Sequence, residues 1–183
     1  MARMSIDGYG QVELNNVAFR RDGRIEAQCA LDTAAFTSNV PCENGMVLRV
    51  KKADKKITFC DASAANQLYA LNYSAEHMYD ERKPGLKNFK LQSAAAGEDF
   101  LPRVGYLAAG DLFTTNCVDL GAYSSVADVV TALGSGEVHG AAGTQGAIVI
   151  QAAAPSVGPV FQVIKKTTMP DGQDAFQFQV LSV

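Results

Sequence analysis

No run of apolar residues in this chain approaches the ~18 needed to cross a bilayer, and the opening Met1-Ala2-Arg3-Met4-Ser5-Ile6-Asp7 lacks the apolar stretch of a secretory signal. The expectation is a protein made in, and kept in, a reducing cytoplasm, with no membrane partner. Basic charge is not in excess either. Sixteen Lys and Arg against 19 Asp and Glu leave a net charge of −3, whereas a general grip on nucleic acid needs many cations on phosphates. Nucleic acid is therefore not an expected partner. The cysteines, Cys29, Cys42, Cys60 and Cys117, are few and far apart. Structural zinc draws on close Cys or His pairs that chelate from one turn, so no metal is expected. The simplest reading is four small buried apolar residues, and its competitor is a disulfide formed late, outside the cell.

Catalytic patterns are missing too. Only His77 and His139 could serve as an imidazole base, and a Ser or Cys nucleophile needs such a base with an acid behind it. There is no Gly-x-Ser-x-Gly elbow and no Asp-x-Asp-x-Asp-Gly calcium loop. Gly134-Ser135-Gly136-Glu137-Val138-His139-Gly140 is rich in glycine, but no Lys or Arg lies between residues 104 and 164 to follow it onto a phosphate. It reads as a flexible loop, with His139 a loop residue. Asp80-Glu81 and Glu98-Asp99 are adjacent pairs that read as solvated surface, as does His77 beside Glu76 and Asp80. No catalytic residue and no cofactor is expected. The competing reading is an enzyme whose split site brings His77 or His139 to a thiol or carboxylate in a deep polar pocket.

What is present is a series of short alternating segments among turn signals. Val12, Leu14 and the pair Val17 and Phe19 sit at period two, as a half-buried strand requires. Ile25, Ala27, Cys29 and Leu31 continue it after Asp22-Gly23, so a hairpin around that turn is one reading of residues 1–40. An extended arm that orders on a partner is the other. Met46-Val47-Leu48-Arg49-Val50 and Ile57-Thr58-Phe59-Cys60 flank a charged tip holding Lys51, Lys52, Lys55 and Lys56. Such a tip is usually solvated, and contact with an acidic neighbour or a phosphate is the sharper alternative. Residues 62–82 are the best helix candidate, with Ala64, Leu68, Leu71 and Ala75 at helical spacing, although Tyr69 and Tyr73 suit a strand equally. Pro84-Gly85 ends that element, residues 86–91 read as strand or loop, and Ala94-Ala95-Ala96-Gly97 as a connector. Pro102 to Leu107, the turn Ala109-Gly110-Asp111 and Leu112-Phe113-Thr114-Thr115 form a strand-turn-strand reading. Ser125 caps a short helix over 124–133 with Val126, Val129, Val130 and Leu133 on one side. Ala147-Ile148-Val149-Ile150 reads as a buried strand. Val160-Phe161-Gln162-Val163-Ile164, the turn Pro170-Asp171-Gly172 and alternating Phe176, Phe178 and Val180 close the chain.

Eight to eleven short strands and at most two short helices predict a mainly β protein: an antiparallel β-sandwich or small β-barrel with an extended N-terminal arm. Residues 1–40 form the arm or first hairpin, and residues 41–183 a single β-rich domain.

Four blocks, taken in order, resemble small structural proteins of tailed phages encoded beside the major capsid protein, the head decoration or auxiliary capsid proteins. They are Cys42-Glu43-Asn44-Gly45-Met46-Val47-Leu48, Gly85-Leu86-Lys87-Asn88-Phe89, then Pro102-Arg103-Val104-Gly105-Tyr106-Leu107 with Gly110-Asp111-Leu112-Phe113-Thr114-Thr115-Asn116, and Val163-Ile164-Lys165-Lys166-Thr167-Thr168-Met169-Pro170-Asp171-Gly172-Gln173. Residues 1–39 match nothing in that pattern. The resemblance implies a virion protein with no catalytic residues, partnered by the major capsid protein and by sister copies. Its alternative is another phage structural part such as a tail tube, head–tail connector or fibre base. Capsid contacts are expected from Lys51, Lys52, Lys55 and Lys56 and from Tyr9, Val12 and Leu14 in the arm. Deleting residues 2–20 is expected to abolish capsid binding and leave the fold intact.

Overall fold

The computed structural model describes residues 10–37, 40–61, 67–73 and 101–183. Two open sheets pack into a β-sandwich, and no barrel closes. One sheet has seven strands in the order β1 (Val12–Asn16), β8 (Leu112–Thr115), β13 (Asp174–Ser182), β12 (Val160–Thr168), β10 (His139–Ala142), β11 (Ile148–Gln151) and β9 (Val118–Asp119). The other has six: β2 (Ile25–Glu26), β7 (Val104–Tyr106), β6 (Tyr69–Asn72), β4 (Val47–Lys51), β5 (Lys56–Phe59) and β3 (Ala30–Leu31). Pairing is antiparallel except β9 with β11 and β3 with β5. The sheets are thus mixed, and the strands outnumber the expected eight to eleven because β2, β3 and β9 are two-residue pieces.

The C-terminal hairpin shows why the strands form. In β13, Phe176, Phe178 and Val180 point inward while Gln177 and Gln179 stay half-buried. On β12, Phe161 and Val163 face the same way. Phe113 of β8 lies opposite Phe178, and the Phe113, Phe161 and Phe178 centroids are 5.8–6.3 Å apart, within the range where ring quadrupoles attract. Each fully buried phenylalanine adds about 1.5–3 kcal/mol of apolar transfer. From the facing sheet Val47 and Leu71 complete this first core. The helix α2 (Val126–Ser135) contributes Val129, and its Ser125 cap accepts from the Asp128 N–H as expected. Val130, assigned to the same apolar side, is 45% exposed.

A second core lies on the other face of the six-stranded sheet. Leu48, Val50, Ile57, Ala70 and Val104 meet Cys29, Leu31, Phe36, Cys42 and Met46 there. Strand β4 is therefore buried on both faces. The β4–β5 hairpin has the expected form, Leu48 opposite Phe59 and Lys51 opposite Lys56.

Three local expectations are corrected. No hairpin turns at Asp22-Gly23. A single helical turn, α1 (Ala18–Asp22), ends there on Gly23 at φ 68°, and the chain crosses between sheets, with β1 pairing β8 and β2 pairing β7. The helix expected over 62–82 is a central strand at 69–72, with Leu71 in the first core and Ala70 in the second. Residues 62–66 and 74–82 lie outside the described residues, as do 86–91, 94–97, His77, Asp80-Glu81 and Glu98-Asp99. The loop expected over 134–140 runs from the end of α2 into the interior strand β10, whose Gly140 is required by close packing: a Cβ there would stand 2.7 Å from Ile148 Cγ2.

Both crossings between sheets are fastened by one buried carboxylate. Asp111 Oδ1 accepts from the Ala18 N–H at 2.7 Å, where Val17 supplies no side-chain cap, and Oδ2 accepts from the Ala108 N–H at 2.9 Å. The Asp111 carbonyl accepts from the Val180 N–H at 2.9 Å. The start of α1, the β7–β8 corner and β13 are thereby held together.

Candidate interaction surface

The lysine-rich tip is a tight turn in which Lys55 takes a positive φ of 51° and its carbonyl accepts from the Ala30 N–H. Two of its four lysines are committed. Lys52 Nζ lies 2.8 Å from Glu26 Oε2, and Lys56 Nζ 3.4 Å from Asp32 Oδ1. Neither Lys51 nor Lys55 makes an ion pair among the described residues.

Glu26 sits on the two-residue edge strand β2 and is 4% exposed. Besides Lys52 it accepts from the Gln28 N–H at 2.8 Å and the Tyr106 hydroxyl at 3.4 Å. The Lys52 ammonium beside it holds its carboxyl below the ordinary value of 4.5, against the upward push of burial. A carboxyl depressed in the folded state stabilises above its unfolded pKa, and that contribution is lost as pH falls through the folded value. Glu26→Gln is therefore expected to flatten the acid limb of stability, so that the urea midpoint falls less steeply than in the wild type from about pH 5 downward. Parallel acid limbs for the two proteins would refute that role for the pair.

Beside the tip lies an apolar groove of about 530 Å³, lined by Arg24, Lys52, Gln67, Leu68, Tyr69, Tyr106, Leu107 and Val183. Leu68 and Val183 are 52% and 56% exposed. Of these residues only Lys52 stood out in the sequence. The others come from four separated stretches and are joined only by the six-stranded sheet and the end of β13. The remaining expected contacts fall elsewhere. Val12 and Leu14 are half-buried in the edge strand β1 and pack against the first core, so their side chains are already covered in part. Tyr9 lies outside the described residues.

The groups considered for chemistry are spread apart. All four cysteines are free and buried. Desolvation pushes the Cys60 thiol up to about 12 and raises Cys29 and Cys42, which suppresses the nucleophilic thiolate. Cys60 and Asp61 border a second depression of about 430 Å³ formed with residues 153–159. His139 is on strand β10 rather than a loop. Its Nε2 is 3.7 Å from Glu137 Oε2, and its Nδ1 is buried with no hydrogen-bond partner among the described residues. Among the described residues no three His, Cys, Asp or Glu side chains gather as a metal site would require, and no helix is long and apolar enough to cross a membrane.

Comparison of the chain with protein-family models, with curated proteins and with solved structures gives no match.

Proposed function

We propose that the protein is a non-enzymatic structural component of a phage particle that decorates or cements the head surface, bound to the major capsid protein and to sister copies. The observation that carries this reading is a meeting in space. Blocks of the resembling pattern that are far apart in the chain converge on one polar seam. Gly45 of the first block stands directly against Thr115 of the third. The Asn116 amide donates to Gln173 Oε1 of the last block at 3.2 Å, and Asn116 Oδ1 accepts from the Gln11 N–H. Gln11 in turn donates from its side chain to Asp171. A pattern whose blocks meet belongs to one folded unit, and this supports carrying over what the resemblance implies. A sandwich suits the task, because its ladders satisfy the backbone internally and leave loops and edges for docking. Weak contacts then suffice, since many copies on one shell bind with avidity.

Counting copies against the major capsid protein, by mass spectrometry of particles from the phage that encodes this chain, tests the reading. Hundreds of copies are expected. Six or twelve would make the protein a connector or tail part, and absence from particles would end the proposal.

The deletion that tests the arm must stop short of residue 20. Val17 and Phe19 are buried in the first core and β1 is paired to β8, so removing 2–20 strips the core as well. Deleting residues 2–9 is expected to lower affinity for capsids about tenfold, a loss of roughly 1.4 kcal/mol per site. Full occupancy after that deletion would rule the arm out.

A further inference from the structure

We propose that the groove beside the lysine tip takes an acidic peptide segment of a neighbouring protein, with an apolar side chain of that segment seated between Leu68 and Val183. The inference rests on the reading of the chain as a surface-docking protein and names the chemistry of its partner.

Three observations point to this occupant. The first is shape and polarity: the volume of about 530 Å³ falls in the range of ligand-binding clefts, and Leu68, Leu107 and Val183 give it an apolar lining. The second is exposure. Large apolar side chains left half in water in one concavity mark a contact site more than scattered ones do, and Leu68 and Val183 are two such residues in the same groove. The third is charge. The molecule as a whole is acidic, at net −3, yet the charged side chains lining this groove are both cations, Arg24 and Lys52, whose paired acids Asp22 and Glu26 stand outside the lining. Lys51 and Lys55 on the adjoining tip add two more cations, neither of them in an ion pair among the described residues.

The cations have capacity to spare. Lys52 carries three N–H donors, and its contact with Glu26 fixes where the ammonium stands. Glu26 is itself anchored by the Gln28 amide and the Tyr106 hydroxyl. Arg24 lies 3.6 Å from Asp22 in a pair whose side chains are 42% and 56% exposed. Exposed pairs of this kind contribute little, so an incoming carboxylate can displace Asp22 from the guanidinium. An apolar centre with a cationic rim has the anatomy of a protein interface.

The test uses the full chain and a fluorescein-labelled hexapeptide in which four acidic residues flank a leucine–phenylalanine pair. Anisotropy should show saturable binding that weakens with salt. Arg24→Gln and Leu68→Ser are each expected to lower affinity about tenfold, the loss of one rim charge or one apolar anchor. Both residues are exposed, and an unchanged thermal melt checks that each variant is folded. No binding by the wild type overturns the proposal, as does affinity unchanged in both variants. Equal or tighter binding of the lysine-substituted peptide, or of single-stranded DNA of six nucleotides, overturns it too, the latter assigning the cations to phosphate. Dimerisation that Leu68→Ser abolishes would give the groove to a second copy and also overturn it. Hundreds of copies per particle together with a groove indifferent to the acidic peptide would refute the groove alone. Binding of the peptide by a protein absent from particles would refute the virion role alone.

Discussion

Phe19→Ala is expected to lower stability by about 3–5 kcal/mol, the range for emptying a fully buried aromatic site. That is a large share of a margin of about 5–15 kcal/mol for a domain. Phe19 is fully buried and lies where the chain passes from one sheet to the other. Its ring stacks on Tyr73 with centroids 5.4 Å apart. The other face of the contact is backbone: a Cβ added to Gly105 would stand 2.2 Å from the ring, so β7 is pressed against it without an intervening side chain. The single turn of α1 has no side-chain cap of its own and is too short to stand by propensity, so the Phe19 anchor and the Asp111 carboxylate hold it. Gly105→Ala should also destabilise, by overpacking. The double variant should be less damaged than the sum of the two, because the new methyl enters the space the ring leaves. Urea midpoints of the four proteins decide the matter. A loss below about 1 kcal/mol for Phe19→Ala, or strict additivity, would sink the account.

The parts of the fold that were legible in the sequence are those whose local pattern and tertiary role agree. Phe176, Phe178 and Val180 alternate with glutamines because β13 has one buried and one half-open face, and Gly172 closes its hairpin at φ 87°. Ser125 and Val129 mark α2 for the same reason. The misread parts are those where tertiary packing overrides the pattern. Residues 69–72 show no alternation because β6 is buried on both sides, and a short buried strand cannot be told from a helix by periodicity. Asp22-Gly23 signals a turn correctly, but a turn signal carries no information on which sheet the next strand joins. Gly140 looks like loop, yet its strand demands a small residue there, because a Cβ would stand 2.7 Å from Ile148 Cγ2 on the neighbouring strand. The candidate surface divides in the same way. Lys51, Lys52, Lys55 and Lys56 announce themselves as a charge run. Arg24, Leu68, Tyr106 and Val183 are ordinary residues that become one groove only when β2, β7, β6 and β13 are assembled. Glu26, which fixes Lys52, is a lone acid on the polar side of an alternating segment and gives no signal of its own.

Gly45→Ala is expected to lower stability by about 3–5 kcal/mol, and three costs contribute to it. Gly45 has φ 82°, a region that costs an L-residue about 1–2 kcal/mol. Its missing Cβ would stand 1.9 Å from Thr115 Oγ1 and 2.9 Å from both Thr115 Cβ and the Gln11 carbonyl oxygen, so the surroundings must move, at about 1–3 kcal/mol. The atom displaced is also in use. The Thr115 hydroxyl donates to the Gln11 carbonyl at 2.7 Å and accepts from the Cys117 N–H at 3.0 Å, tying β1 to the β8–β9 turn in a fully buried position. Each of those bonds contributes about 1 kcal/mol and leaves a buried group unsatisfied when broken. Gly172 provides the control, since it has a similar φ of 87° with nothing within 4 Å of a new Cβ. Gly172→Ala should therefore show the backbone cost alone, about 1–2 kcal/mol. Adding Thr115→Ala to Gly45→Ala should recover part of the loss by removing the 1.9 Å clash, while the 2.9 Å contacts and the φ remain. Equal losses at Gly45 and Gly172, measured by urea denaturation, would show that the seam between the first and third blocks yields freely to a methyl group, against the close packing assigned to it.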